Sequence, residues 1–140
     1  MRFVVLVHPG KAYEAGAMPS AEQLTEMGNF NEELAKAGIL LAAEGLHPTS
    51  KSTRLKFASG KASATDGPFT ESKEIIGGFW IVEGKSKEEV VERFSHAPME
   101  DGDMLDIRPI FEAEDFGDAL TDEVREQEER IRSHVSSPSA

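Results

Sequence analysis

Arg2-Phe3-Val4-Val5-Leu6-Val7-His8, at the start of a 140-residue chain, is a continuous apolar run holding three valines. Such a run suits a strand covered on both faces, hence one in the middle of a sheet. His8-Pro9-Gly10 ends it and opens a long loop. Ser20-Ala21-Glu22-Gln23 then has the form of a capping box, in which hydroxyl and amide side chain satisfy each other's backbone donors. Leu24, Met27, Phe30, Asn31 and Leu34 keep helical spacing behind it, and Gly38 supplies the left-handed stop. Ile39 to Ala43 is a second apolar run, left through Glu44-Gly45-Leu46-His47-Pro48. Thr53, Leu55 and Phe57 alternate with Arg54 and Lys56, and Lys61 to Thr65 returns after Ser59-Gly60, which predicts an inserted hairpin. Ile75 to Glu83 reads as a third strand of the main sheet. Ser86-Lys87-Glu88-Glu89 is a second capping box, before a helix with Val90, Val91, Phe94 and Ala97 on one stripe. Met104 to Phe111 is the last strand, and Pro109 within it asks for a sheet edge, where a missing amide donor does no harm.

With the hairpin set aside, the order is β-α-β-β-α-β. Right-handed crossovers turn this into an α+β fold, a ferredoxin-like split βαβ antiparallel sheet with the strands side by side as fourth, first, third, second. Both helices fall on one face. The other face carries apolar residues that need cover, so we expect a two-fold homodimer with a pocket between the sheets, a dimeric α/β-barrel arrangement. Residues 1–111 form this domain. Residues 112–140 hold nine acids and three bases, and Asp118 to Val135 shows only a thin stripe of Leu120, Val124, Ile131 and Val135. They read as an acidic helical C-terminal appendix with a disordered end.

Composition narrows the partners. The chain has no cysteine, so disulfides, thiolate nucleophiles and Cys-held metals are out. No apolar run approaches the ~20 residues of a membrane span. The N-terminus lacks the form of a signal peptide, which makes the cytoplasm the expected location. A net charge of −11 excludes nucleic acid and anionic membranes as natural partners, since both need clustered bases. No His pair has metal-ligand spacing, and no phosphate-cradling glycine motif is present, so neither a metal nor a cofactor is expected.

The most distinctive stretch is Asp66-Gly67-Pro68-Phe69-Thr70-Glu71-Ser72-Lys73-Glu74, followed by Ile75-Ile76-Gly77-Gly78-Phe79-Trp80. On its own spacing Asp66 is a turn cap for the amides that follow it, and the later charges face water. The functional reading sets Lys73 among the acids, where a cation keeps one carboxylate ionised while burial raises another. Glu44 leaves a buried strand and needs a partner, either in an ion pair or in acid/base work. His47 and His8 end strands at loops; each is a surface histidine or a catalytic one. Trp80 and Phe79 point to opposite faces, so one lies under the helices and the other floors the open face. Arg108 either pairs with Asp106 or clamps a substrate carboxylate.

The segment DGPFTESKEIIGGFW resembles the signature of the DGPF-domain branch of the YCII-related family. Gly38-Ile39-Leu40 leading to Glu44-Gly45-Leu46-His47-Pro48, and Asp106-Ile107-Arg108-Pro109-Ile110, are similar to that family's flanking motifs. The resemblance covers roughly residues 2–111. It implies a dimeric ferredoxin-like α+β barrel with a cleft, and a context linked to extracytoplasmic-function sigma factors, as for some members. Shorter relatives have a proposed His–Asp pair, with its His at the start of the first helix. Residues 20–38 contain no histidine here. Glu44 is the nearest match to the acidic member, and the histidine place is vacant unless His8 or His47 fills it.

Three functions follow from these residues. The first is a small-molecule-binding or regulatory dimer with Lys73, Glu74, Arg108, Trp80 and His8 about its ligand. The second is a small enzyme using Glu44, Asp66 and His47 on an organic substrate. The third is a purely structural dimer. The site, where there is one, is expected where Glu44, the Asp66 loop and Arg108 converge, with His8 and the Lys11–Met18 loop as the next place to look.

Overall fold

In a computed structural model, described over residues 1–70 and 75–136, the chain divides into two compact units, Met1–Pro109 and Ile110–Ala140. The first unit is built on a four-stranded antiparallel sheet. Its strands are β1 (Arg2–His8), β2 (Leu40–Gly45), β5 (Gly78–Glu83) and β6 (Met104–Pro109), in the order β2-β5-β1-β6. Helix α2 (Ala21–Lys36) follows β1, and α3 (Lys87–Phe94) follows β5. A separate two-stranded sheet, β3 (Thr53–Ala58) with β4 (Lys61–Asp66), is inserted between β2 and β5. This is the expected ferredoxin-like α+β arrangement, with the all-apolar strand central and the proline strand at an edge.

Strand alternation explains the burial. Phe3, Val5, Trp80 and Val82 point to one face and form the core with Phe30 and Leu34 of α2 and Val90 and Phe94 of α3. Phe30, Trp80 and Phe94 meet edge to face, with centroids 5.2 to 6.1 Å apart. That geometry adds to the energy of burial alone. Val4, Leu6, Phe79 and Ile81 take the opposite face, half-buried and outside that core cluster. Leu24, expected on the buried stripe of α2, is 60% exposed; Phe30 and Leu34 are the buried residues of the helix, and Met27 packs at the edge of the core.

The caps follow the sequence with one change. Ser20 and Gln23 make both bonds of their box, and Gly38 adopts φ 76 after the helix. Ser86 accepts from the Glu89 amide, but the Glu89 carboxylate reaches past the cap to the Lys85 amide at 2.8 Å. The long loop after β1 is interrupted by one turn of helix, α1 (Lys11–Glu14). The second unit holds a 3₁₀ segment, Ala113–Ala119, and α4 (Asp122–Ser136). That helix starts later than its charge pattern suggests, because Gly117 breaks the chain direction at φ 57 and the Thr121 hydroxyl accepts the Val124 amide. Neither element of this unit has a buried residue.

Candidate functional site

One end of the main sheet gathers most of the chain's chemistry. There β1 ends at His8, β2 ends at Gly45, β5 begins at Gly78 and β6 begins at Met104. Gly77-Gly78 sits here for close packing. A Cβ on Gly78 would come within 2.8 Å of the Glu44 carbonyl oxygen, so the two strands could not approach as they do.

Beside this end lies a cleft of about 590 Å³ between the Tyr13–Pro19 segment and the exit of β2. Tyr13, Met18 and Pro19 form one wall, and Leu46, His47 and Lys51 the other. The walls are tied together. The Tyr13 hydroxyl donates to the Leu46 carbonyl, and the Leu46 amide donates to the Gly77 carbonyl at 2.9 Å. Burial, and then the negative charge of Glu14, raise the Tyr13 phenol above its ordinary pKa, so it stays a neutral donor. A second, smaller cavity of about 250 Å³ opens between Met27 and Asn31 of α2 and the sheet residues Ala43, Glu44 and Trp80, and Gly45 borders both.

Thr49 anchors the cleft and the distinctive loop together. Its amide and hydroxyl donate to the two carboxylate oxygens of Glu14, at 2.9 and 2.6 Å, while the hydroxyl accepts the Phe69 amide at 2.9 Å. At 8% exposure it is the most buried polar side chain among the described residues. Gly67 lies against the same turn, and a Cβ there would fall 1.8 Å from the Thr49 carbonyl oxygen. The Arg54 guanidinium stacks 4.0 Å over the Phe69 ring. Asp66 does not cap the turn as expected. The residue two on is a proline with no amide hydrogen, and the Phe69 amide is taken by Thr49. Asp66 instead accepts the Thr53 hydroxyl at 2.8 Å across the hairpin.

The remaining candidates are distributed by strand order. On the open face, Glu44, Phe79, Leu6 and Asp106 form one row and Ala42, Ile81, Val4 and Arg108 the next. Glu44 and Arg108 thus stand on opposite edge strands and in neighbouring rows, about 16 Å apart at the spacing of sheet strands and of residues along them. They do not converge, and Asp66 belongs to the other sheet. Phe79, not Trp80, is the open-face aromatic; the Trp80 indole donates to Asn31 Oδ1 at 2.7 Å inside the core. Lys73 and Glu74 lie outside the described residues.

Asp106 pairs with His8, not with its strand neighbour Arg108. His8 Nε2 is 2.8 Å from Asp106 Oδ2, and the imidazole is only 16% exposed. The two residues are 98 positions apart and meet because β1 and β6 are antiparallel neighbours. In the tautomer that donates from Nε2 to Asp106, Nδ1 carries the ring's free lone pair. His96 pairs with Glu92 at 3.3 Å on the surface of α3. Among the described residues no group of three or more metal-binding side chains occurs, and no helix is long and apolar enough to cross a membrane.

The sheet order, the one-sided helices and the inserted hairpin define a ferredoxin-like α+β domain with a cleft at the sheet's end. The chain belongs to the YCII-related domain family, whose model matches residues 1–114. It is similar to the uncharacterized protein R00369 of Rhizobium meliloti (strain 1021), at 28% identity over 69 residues, which is 49% of this chain and 56% of that protein. The chain therefore spans about half the length of this curated relative. Among solved structures it is similar to 5-chloro-2-hydroxyhydroquinone dehydrochlorinase (TftG) from Burkholderia phenoliruptrix AC1100, in complex with 2,5-dihydroxybenzoquinone. The TM-score is 0.41 and the identity 15%, over 81% of this chain and 98% of that one.

Proposed function

We propose that this protein is a small-molecule-binding member of the YCII-related family, in its DGPF branch, and that its ligand occupies the cleft beside Tyr13 and His47. The observation that carries this reading is the cleft itself. Its volume of about 590 Å³ falls in the range of small-molecule sites. Its walls are mainly apolar, and a neutral phenol, an imidazole and an ammonium group stand among them. The DGPF segment supports it indirectly: Gly67 and Phe69 hold Thr49 in place, and Thr49 with Glu14 holds the cleft walls together. Ligand-observed NMR against a panel of small aromatic acids, alcohols and amides tests the proposal. Hits on the parent chain are expected to vanish in Ala17→Trp, which fills the cleft, and to weaken in His47→Ala. Hits that survive both substitutions, or a panel with none, overturn it.

A second reading is favoured by one contact. The His8–Asp106 pair offers an oriented imidazole for proton transfer, which supports an acid/base enzyme on a small organic substrate. Glu44 stands in the same cross-strand row as Asp106, whereas Asp66 is committed to Thr53. A substrate turned over by the parent and not by His8→Gln or Asp106→Asn would decide for this reading.

A further inference from the structure

The smaller cavity, of about 250 Å³, lies outside the cleft assigned to the ligand. Its most buried wall is Trp80, and Met27, Ala43 and Met99 continue an apolar lining around it. Asn31 is the polar side chain that α2 contributes, and its Oδ1 already accepts the indole N–H. Glu44 borders the space, but strand alternation sends its side chain to the open face. An apolar cavity of about 150 Å³ is enough to hold benzene, so this one has room for a ring or a short alkyl chain. Gly45 stands where it meets the cleft, bordering both. Ala43 pairs with the inward-facing Trp80, so position 45, two residues on, faces the helices as well. A Cβ there would meet nothing within 4 Å, whereas at Gly67 or Gly78 it would strike backbone. Packing therefore does not require glycine at 45, and its bare backbone leaves the border between the two spaces unobstructed.

The cleft has the opposite character. None of the residues lining it is acidic, in a chain that has 26 acids among 140 residues. His47, Ser50 and Lys51 line one wall instead. Glu14, beside Tyr13, has both carboxylate oxygens held by Thr49. A carboxylate is thus favoured at the Lys51 end, and an apolar group at the Trp80 end.

We propose that the two spaces form one bipartite site for an apolar monocarboxylate, its head in the cleft by Lys51 and His47 and its tail past Gly45 against Trp80. This rests on the cleft being the ligand site, and adds the class of the ligand and its direction. Gly45 is then the residue that sets how long a tail is accepted.

Butanoate, octanoate and octanamide test the proposal on the full chain. Affinities come from ligand-observed NMR titrations, and the emission of Trp80, the chain's one tryptophan, reports the tail. Octanoate has more methylenes to bury than butanoate, so it is expected to bind at least about tenfold tighter. It should also shift the Trp80 emission, which butanoate should leave unchanged. Octanamide should bind at least about threefold more weakly than octanoate, and Lys51→Gln should erase that difference. Gly45→Leu, shown to be folded by circular dichroism and a thermal melt, should erase the gain of octanoate over butanoate. The parent's own dependence on tail length and its Trp80 emission carry the test if that variant does not fold. Octanoate that binds no better than butanoate, or without a change in emission, overturns the proposal. If butanoate is then still lost in Ala17→Trp, the cleft stands as the ligand site and only the tail is refuted. Equal binding of octanoate and octanamide overturns the anionic head, and a gain that persists in folded Gly45→Leu overturns the route past Gly45. Binding of both acids that survives Ala17→Trp overturns the cleft reading and this proposal with it.

Discussion

Tyr13 is the chain's one tyrosine, so its titration can be read directly from the tyrosinate absorbance of the intact protein. Burial and the Glu14 carboxylate both favour the neutral phenol in the fold, and raise its pKa above the ordinary value of 10.0. The sign follows from proton binding. Above pH 10 the unfolded chain loses this proton while the folded one keeps it, so stability is whole below pH 10 and declines as pH rises through the interval above it. The folded protein should titrate above 10.0 and the urea-unfolded one near it, and Tyr13→Phe should remove the alkaline step. A folded midpoint at or below 10.0 would contradict the buried, Glu14-facing phenol. Roles at this scale were the least legible in the sequence. His8 was visible as a strand-end histidine, but its carboxylate is 98 residues away and is supplied by strand pairing. The Asp66 cap failed for a local reason that could have been read: Pro68 has no donor. Thr49 was missed altogether, because a lone threonine in a turn carries no pattern until its partners are placed.

Elements were far more legible, because hydrophobic period and caps are local. The strand RFVVLVH, the Ser20 box and Pro109 each settled its own element, and together they settled the strand order. What stayed hidden was how the loops join. Thr49 connects three segments at once, α1 through Glu14, its own 3₁₀ turn (Thr49–Lys51), and the Phe69 loop. Thr49→Val keeps the shape and the amide bond but removes the hydroxyl, so a carboxylate oxygen loses its donor and the Phe69 amide its acceptor. Unsatisfied groups of this kind cost about 1–3 kcal/mol. Urea unfolding should show a lower midpoint with an unchanged slope, while Thr49→Ser, which retains the hydroxyl, should lose much less. Equal losses in the two variants would mean that packing of the threonine methyl, not the hydrogen-bond junction, holds these segments.

At the scale of the molecule the two units differ in how they are held together. Every residue of the core cluster, from Phe3 to Phe94, lies in Met1–Pro109, and the family match ends at residue 114. In Ile110–Ala140 the local contacts are of a weaker kind. Phe111 and Phe116 stack with centroids 5.0 Å apart, and the Glu112 amide donates to Asp115 at 2.7 Å. Val124, Ile131 and Val135 on α4 are exposed, and an isolated helix of this length is marginal in water. The segment also carries nine acids against three bases, so removing it lowers self-repulsion as well as length. Cooperative unfolding depends on a shared core, and that core is complete without these residues. A chain ended after Phe111 should therefore stay soluble and keep one sharp thermal transition, with the same far-ultraviolet signature for the sheet. Broad, non-cooperative melting of that shortened chain would show that the acidic segment is part of the folding unit.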